Sequence, residues 1–249
     1  MIHFFLHKFS LSVWLSLALL LSLASCQKED KAITGTAKVI LTNAALNSAT
    51  QTLQVDGVSI NTTALAYTQS TGTAGNPYLE MNAGIRAVKI LATGAAAPVV
   101  EGNLVISPQA HYSIFTYDTL DALNHVKAMI VADQLAVPSA GKAKYRVFNL
   151  SPDSKFLDIQ ITRTGDTNRI NGMAYVGNST AGAGLSAFTE INAAPFGISI
   201  RQTDSTNLLI NNQGISFEDG KIYSIYIRGR IDRGIQTAQG LNIGVLKHN

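Results

Sequence analysis

A stretch of this chain is written twice. Gly35-Thr36-Ala37-Lys38-Val39-Ile40-Leu41-Thr42-Asn43 returns as Gly141-Lys142-Ala143-Lys144-Tyr145-Arg146-Val147-Phe148-Asn149. The echo continues in order. Leu65-Ala66-Tyr67 answers Met173-Ala174-Tyr175, and Tyr78-Leu79-Glu80-Met81-Asn82-Ala83 answers Phe188-Thr189-Glu190-Ile191-Asn192-Ala193. His111-Tyr112-Ser113-Ile114-Phe115 likewise answers Ile222-Tyr223-Ser224-Ile225-Tyr226. Ordered matches at nearly one offset, too far apart for a solenoid unit of roughly 20–50 residues, mark two tandem homologous domains. Their junction is Gln134-Leu135-Ala136-Val137-Pro138-Ser139-Ala140-Gly141, where Pro, Ser and Gly interrupt the apolar pattern, giving domains at 35–137 and 138–249. Whatever one half folds into, the other must fold into as well.

Within each copy the hydrophobic period is two. Leu53 and Val55 share a face before the turn signal Asp56-Gly57, and Ile159-Gln160-Ile161-Thr162 and Ile198-Ser199-Ile200-Arg201 alternate in the same way. Turn signals at Asn47-Ser48, Thr93-Gly94, Ser107-Pro108, Gly165-Asp166 and Asp219-Gly220 leave runs of strand length between them. Beyond the N-terminal segment no sustained helical stripe occurs. The pattern predicts an all-β fold: two tandem immunoglobulin-like antiparallel β-sandwiches of about seven short strands each. Asp219-Gly220-Lys221-Ile222-Tyr223 has the form of a tyrosine corner, which makes Tyr223 and its counterpart Tyr112 structural. The abundance of small polar residues and a charged fraction of only 14%, against a usual value of about 25%, suit such an extracellular β-protein.

The N-terminus reads differently. His3, His7 and Lys8 lead into an apolar run from Leu11 to Leu23, the length of a signal-peptide core and shorter than the roughly 20 residues a bilayer span needs. The chain's single cysteine follows at once, so it closes no intrachain disulfide. Leu23-Ala24-Ser25-Cys26 resembles the lipobox of bacterial lipoproteins. The resemblance implies cleavage after residue 25, lipidation of Cys26 and a polar tether over 26–34. Two or three acyl chains hold a protein firmly to a membrane where one holds marginally. An ordinary secretory signal cut near a cysteine is the alternative. Gln27-Lys28-Glu29-Asp30 resembles the export tag of surface lipoproteins in Bacteroidota, which implies an outer-membrane, lipid-anchored location with outward display; a plain solvated tether with periplasmic display is the alternative.

From Gly141 to Ser154 the sequence Gly-Lys-Ala-Lys-Tyr-Arg-Val-Phe-Asn-Leu-Ser-Pro-Asp-Ser resembles the opening of repeats in the domain-of-unknown-function family DUF4397. In the first copy Asn43-Ala44-Ala45-Leu46-Asn47-Ser48 is a degraded version of its end. The resemblance covers nearly all of the chain after the signal. It implies tandem β-sandwiches on secreted or lipid-anchored bacterial proteins with a part in adhesion, and it supplies no catalytic motif. In the turn itself Pro152 fixes the backbone and Asp153 is placed to bond the backbone just beyond it.

Reactive groups are sparse. His111, His125 and His248 are the imidazoles after the signal, and they stand apart in the sequence. Gly177-Asn178-Ser179-Thr180-Ala181 falls one residue short of a nucleophile elbow, and Ala181-Gly182-Ala183-Gly184-Leu185 precedes no helix as a phosphate loop requires. Glu80 and Glu190 occupy equivalent places in the two copies, which suits framework residues better than a hydrolytic pair. Asp153 and Asp158 fall short of the roughly six to eight oxygens calcium needs. A formal net charge of +3, with no concentrated basic face, argues against a nucleic-acid partner. Arg228, Arg230 and Arg233 form the densest charge cluster and are the candidate binding residues for a glycan or protein ligand. The candidate contact loops run from Asn168 to Ala183 and from Arg228 to Gln239. Asp118-Thr119-Leu120 and Asp204-Ser205-Thr206 resemble an O-glycosylation acceptor motif. The sequence therefore describes a noncatalytic, lipid-anchored envelope protein without cofactor or metal, either an adhesion or binding module or a structural spacer in an envelope complex.

Overall fold

The structure, a computed structural model, describes residues 33–73, 75–178 and 183–249. The signal segment 1–25, Cys26 and the tether through Ala32 lie outside them. Each half of the repeat is a sandwich of two sheets. The first contains β1 (Thr36–Asn43), β2 (Gln51–Val55), β3 (Val58–Ser59), β4 (Leu79–Asn82), β5 (Gly84–Ala92), β6 (Val100–Ile106), β7 (His111–Tyr117) and β8 (Lys127–Ala132). The second contains β9 (Lys142–Asn149), β10 (Phe156–Arg163), β11 (Asp166–Ala174), β12 (Thr189–Asn192), β13 (Pro195–Gln202), β14 (Leu208–Ser216), β15 (Ile222–Arg228), β16 (Arg230–Ile235) and β17 (Gly240–Lys247). Sheet orders are β4-β1-β7-β8 with β3-β2-β5-β6, and β12-β9-β15-β17-β16 with β11-β10-β13-β14.

Register reproduces the written repeat. Lys38 stands beside His111 between β1 and β7, and Lys144 beside Ile222 between β9 and β15. Asn43 and Asn149 end their strands fully buried for one reason: the side-chain amide of each donates to a backbone carbonyl of its own half, Leu65 at 3.0 Å and Met173 at 3.2 Å, while its oxygen accepts an N–H two residues on. The tyrosine corners are equally matched, with Ser107 N–H donating to the Tyr112 hydroxyl at 3.1 Å and Glu218 N–H to that of Tyr223 at 3.2 Å. One departure from an antiparallel sandwich recurs in both copies. β1 runs parallel to β7, and β9 to β15, because the chain visits the opposite sheet before returning beside its first strand.

Among the described residues three apolar clusters hold the fold. One fills the first sandwich around Leu53, Ile90 and Ile106, and a second fills the other around Leu157, Ile200 and Phe217. The third lies between the halves, where Ile40, Phe115, Tyr117, Met129 and Val131 meet Phe148, Leu150, Tyr175, Tyr226 and Leu246. It explains why β1, β7, β9 and β15 are buried along both faces, a condition that erases the polar half of an alternating strand. In β7 Ile114 joins the first core while Phe115 and Tyr117 face the seam, and in β15 Ile225 joins the second core while Tyr226 faces the seam. Phe115 sits 5.4 Å, centroid to centroid, from both Phe148 and Tyr226.

The copies differ where β8 and β17 correspond. Register places Ala128 opposite Thr116 and Ile243 opposite Ile227, so the two positions are equivalent. Ile243 is buried, whereas Ala128 is exposed beside a slot of about 150 Å³ lined by Val88, Leu104, Ile114 and Ile130. Ala128→Ile, copying the second sandwich, is expected to fill the slot and stabilise the fold by about 1 kcal/mol. The readout is a higher urea midpoint at unchanged slope. A lowered midpoint would mean that the slot cannot take the larger side chain.

Candidate functional site

The strand directions define two ends. Ile33, Gly35 and Ala83 gather at the base, where Ala83 N–H donates to the Gly35 carbonyl at 2.8 Å. β8 and β17 also finish there, Ala132 beside Tyr112 and Lys247 beside Tyr223. At the opposite, apical end Leu46 bridges to Thr119 beyond the ends of β1 and β7. Among the described residues, a buried ring near the base and an open cleft at the apex each draw several polar side chains from both halves.

The ring is composed of Tyr78, Ser113 and Asp133 from the first half and Arg146, Ser224 and His248 from the second. Asp133 accepts from the Tyr78 hydroxyl at 2.8 Å, from the Ser113 hydroxyl at 2.8 Å and from Arg146 Nη2. Arg146 Nε donates to Ser224 Oγ at 2.7 Å, and His248 closes the circuit with Nε2 at 2.8 Å from Ser224 Oγ and Nδ1 at 2.8 Å from the Tyr78 oxygen. The Arg146 guanidinium lies 4.9 Å from the Phe148 ring and 4.4 Å from that of Phe188. Burial lowers Arg146 from its usual value, against the pull of Asp133. Burial, reinforced by the Asp133 charge, pushes the Tyr78 phenol well up. His248 is pulled down to about 4, chiefly by burial.

The ring is a product of the repeat. Asp133 N–H donates to the His111 carbonyl and His248 N–H to that of Ile222, so Asp133 and His248 hold the same position in the two copies, as do Ser113 and Ser224. The serine–imidazole contact has the reach of a nucleophile–base pair, but Ser224 and the His248 side chain are fully buried and Ser224 already accepts from Arg146. Its geometry is that of a clasp. Sequence spacing scattered the histidines; the fold brings His111 and His248 both against Tyr78, at 4.8 Å and 6.1 Å between ring centroids. A usable signal did exist in the serine repeated within the apolar runs of β7 and β15, and in Arg146 within β9.

The apical cleft encloses about 350 Å³ between Leu46, Asn47, Thr119 and Leu120 of the first half and Arg230, Arg233 and Gln239 of the second. A neighbouring hollow of about 400 Å³ shares Asn47 and Leu120 and is otherwise lined by small and apolar side chains such as Ala96, Pro98 and Leu123. Gln239 Nε2 spans the mouth to Asn47 Oδ1 at 2.9 Å. Gly229, at φ +79°, permits the turn from β15 into β16, since a Cβ there would collide with the Gly240 carbonyl. Asp153 pins the turned-back segment by accepting from Ile231 N–H at 2.9 Å and Asp232 N–H at 3.1 Å. The Ser-Pro-Asp turn thus serves a distant loop as well as itself. Asp158 is engaged elsewhere, by Gly172 N–H, Thr203 and Arg201.

The three arginines separate. Arg230 is held by both oxygens of Asp232, at 2.8 Å and 2.6 Å, and is raised above its usual value chiefly by that contact. Arg233 is 60% exposed and 3.9 Å from Asp232. Both line the cleft. Arg228 instead crosses the seam to Tyr67, donating to its hydroxyl at 3.1 Å and lying 5.0 Å from the ring centroid, with its Nε buried and unpartnered. The repeat's other tyrosine crosses in the reverse direction: the Tyr175 hydroxyl donates to Asp118 at 2.7 Å. Of the two candidate loops, Asn168–Ala174 belongs to β11 and Arg230–Ile235 to β16, while residues 179–182 lie outside the described residues. Glu190 pins the connector, accepting from Ser139 N–H at 2.9 Å, and Glu80 stands exposed opposite Lys38.

Among known protein families, the domain of unknown function DUF4397 matches residues 37–160, from β1 into β10. The chain belongs to this family. The DUF4397 match takes in both the first sandwich and the Gly141–Ser154 stretch of the second. No curated protein matches the chain. Similar solved structures include a leucine-rich repeat protein from Bacteroides thetaiotaomicron, at 13% identity over 78% of this chain, TM-score 0.21. The chain spans 26% of that protein's length. Another is a streptococcal virulence factor described as binding α-glucan, at 12% identity over 76% of this chain and 92% of the other, again with TM-score 0.21. At such scores neither informs the function of this DUF4397 protein.

Proposed function

We propose that this DUF4397 protein is a noncatalytic module of the cell envelope, lipid-anchored to the outer membrane through Cys26, whose apical cleft takes a glycan or protein ligand in adhesion. The observation that carries the reading is the separation of ends. The described chain begins at the base, and the cleft opens at the apex between loops of the first half and β16 with the turn after it in the second. A tether at the base therefore directs the cleft away from the membrane, and loops on a rigid sandwich are the usual carriers of binding. The polar groups lining it, Asn47, Thr119, Arg233 and Gln239, suit the hydroxyls of a saccharide or the backbone of a peptide.

Two variants test separate parts. Cys26→Ala is expected to move the protein out of the membrane fraction, and retention there would sink the anchor. Arg233→Glu combined with Gln239→Ala is expected to abolish attachment of intact cells to a glycan or matrix array while leaving surface protein level unchanged. Attachment equal to wild type would remove the cleft from consideration. The spacer reading draws on Ile85 and Val105, which face each other across β5 and β6 at 70% and 68% exposure. It predicts a single stoichiometric partner, crosslinked through that face.

A further inference from the structure

The basal ring admits one arrangement of hydrogens. Asp133 only accepts, so the Tyr78 hydroxyl hydrogen points to it, and the Tyr78 oxygen must receive a hydrogen from His248 Nδ1. His248 Nε2 is then an acceptor, filled by the Ser224 hydroxyl, and the Ser224 oxygen receives Arg146 Nε–H in turn. Each donor has one acceptor around the circuit, and the imidazole must be neutral for it to close. A proton added at Nε2 would aim two donors at the Ser224 oxygen and leave the serine hydrogen without its acceptor. It would also set a second cation against the Arg146 guanidinium. We propose that the seam between the sandwiches is an acid-released clasp: uptake of one proton by His248 opens the ring and loosens the contact of β7 with β9 and β15.

The groups facing His248 set the sign of the effect. Tyr78, His111 and Asp133 approach from the first half, and Arg146, Ser224 and Phe188 from the second. Asp133, 3.8 Å from Nδ1, favours the cation, but its carboxylate is already occupied by Arg146, Tyr78 and Ser113. Burial dominates and pulls the imidazole down to about 4, whereas the opened seam returns it to the solvated value of 6.5. Between those values the open form binds more protons. The clasp is therefore fully present above the solvated value and is lost progressively as the pH falls toward the closed-form value. His111 is also lowered, mainly by burial, and stands at the edge of the site against Tyr78.

The test is amide hydrogen exchange of the full chain in detergent, corrected for intrinsic rates, between about pH 7 and about pH 4.5. The opening constant of seam-strand amides in β7, β9 and β15 is expected to rise up to about tenfold per pH unit below about 6.5, with outer-sheet amides unaffected. His248→Gln, whose amide both donates and accepts without charging, is expected to abolish the slope, while His111→Gln retains it. A flat wild-type profile, or a slope surviving in His248→Gln, overturns the proposal. Should His248→Gln fail to fold, the imidazole resonances of the wild type decide: His248 titrating below about 5 supports the clasp, and titration near the solvated value of about 6.5 excludes it.

Discussion

Arg146→Met is expected to destabilise the chain by about 3–5 kcal/mol, the usual penalty when one partner of a buried ion pair is removed and the other is left uncompensated. Both side chains are almost wholly buried, at 3% exposure for Arg146 and 0% for Asp133. Methionine would fill much of the space between Phe148 and Phe188. It cannot donate to Asp133, to Ser224 Oγ, to Ser113 Oγ or to the Ala132 carbonyl, so four acceptors lose a hydrogen at once. Removing the orphaned carboxylate as well, in Arg146→Met with Asp133→Leu, should recover a large part of the loss, because an apolar pair replaces an ionic pair at little net change. Guanidinium unfolding of the single and double variants measures both steps. A loss below about 1 kcal/mol in the single variant would show that water reaches the pair.

Phe115→Ala should be as damaging, at about 3–5 kcal/mol. Phe115 is fully buried where β7 faces the second half, and its ring packs against Phe148 and Tyr226. Neither sandwich core contains it, so the loss falls on the contact between sandwiches. A matched substitution within one core, such as Leu53→Ala in the first, makes the comparison informative. If the halves fold as one cooperative unit, both variants shift a single transition. If the seam adds little, Phe115→Ala leaves each half with its own unchanged midpoint, and the assignment of the third cluster as a stabilising core is lost.

Much of the architecture was legible in the sequence because its signals are local or duplicated. Alternation at Leu53-Gln54-Val55 and Ile159-Gln160-Ile161 reflects one-sided burial, and the repeat disclosed the second sandwich. The tyrosine corner was legible too, since a turn and a ring five residues apart suffice to form it. The seam was not. Burial of β1, β7, β9 and β15 on both faces depends on the other half lying against them, and no window of one strand carries that information. Arg228 shows the same limit: by spacing it belongs with Arg230 and Arg233, yet strand alternation turns it across the seam to Tyr67. His248 looked isolated beside the terminus. Its equivalence with Asp133 emerges only once both strand ends have been paired with their neighbours.

The parallel alignment of β1 with β7 has a mechanical consequence. A load carried from the base through β1 to an apical contact pulls along the strands, so six consecutive residue pairs from Lys38–His111 to Asn43–Thr116 are strained together in shear. Opening them one at a time, as in a zipper, would need a pull across the sheet. A molecule attached at one extremity and tugged at the other would resist rupture in the direction along which flow or a moving surface would stretch it.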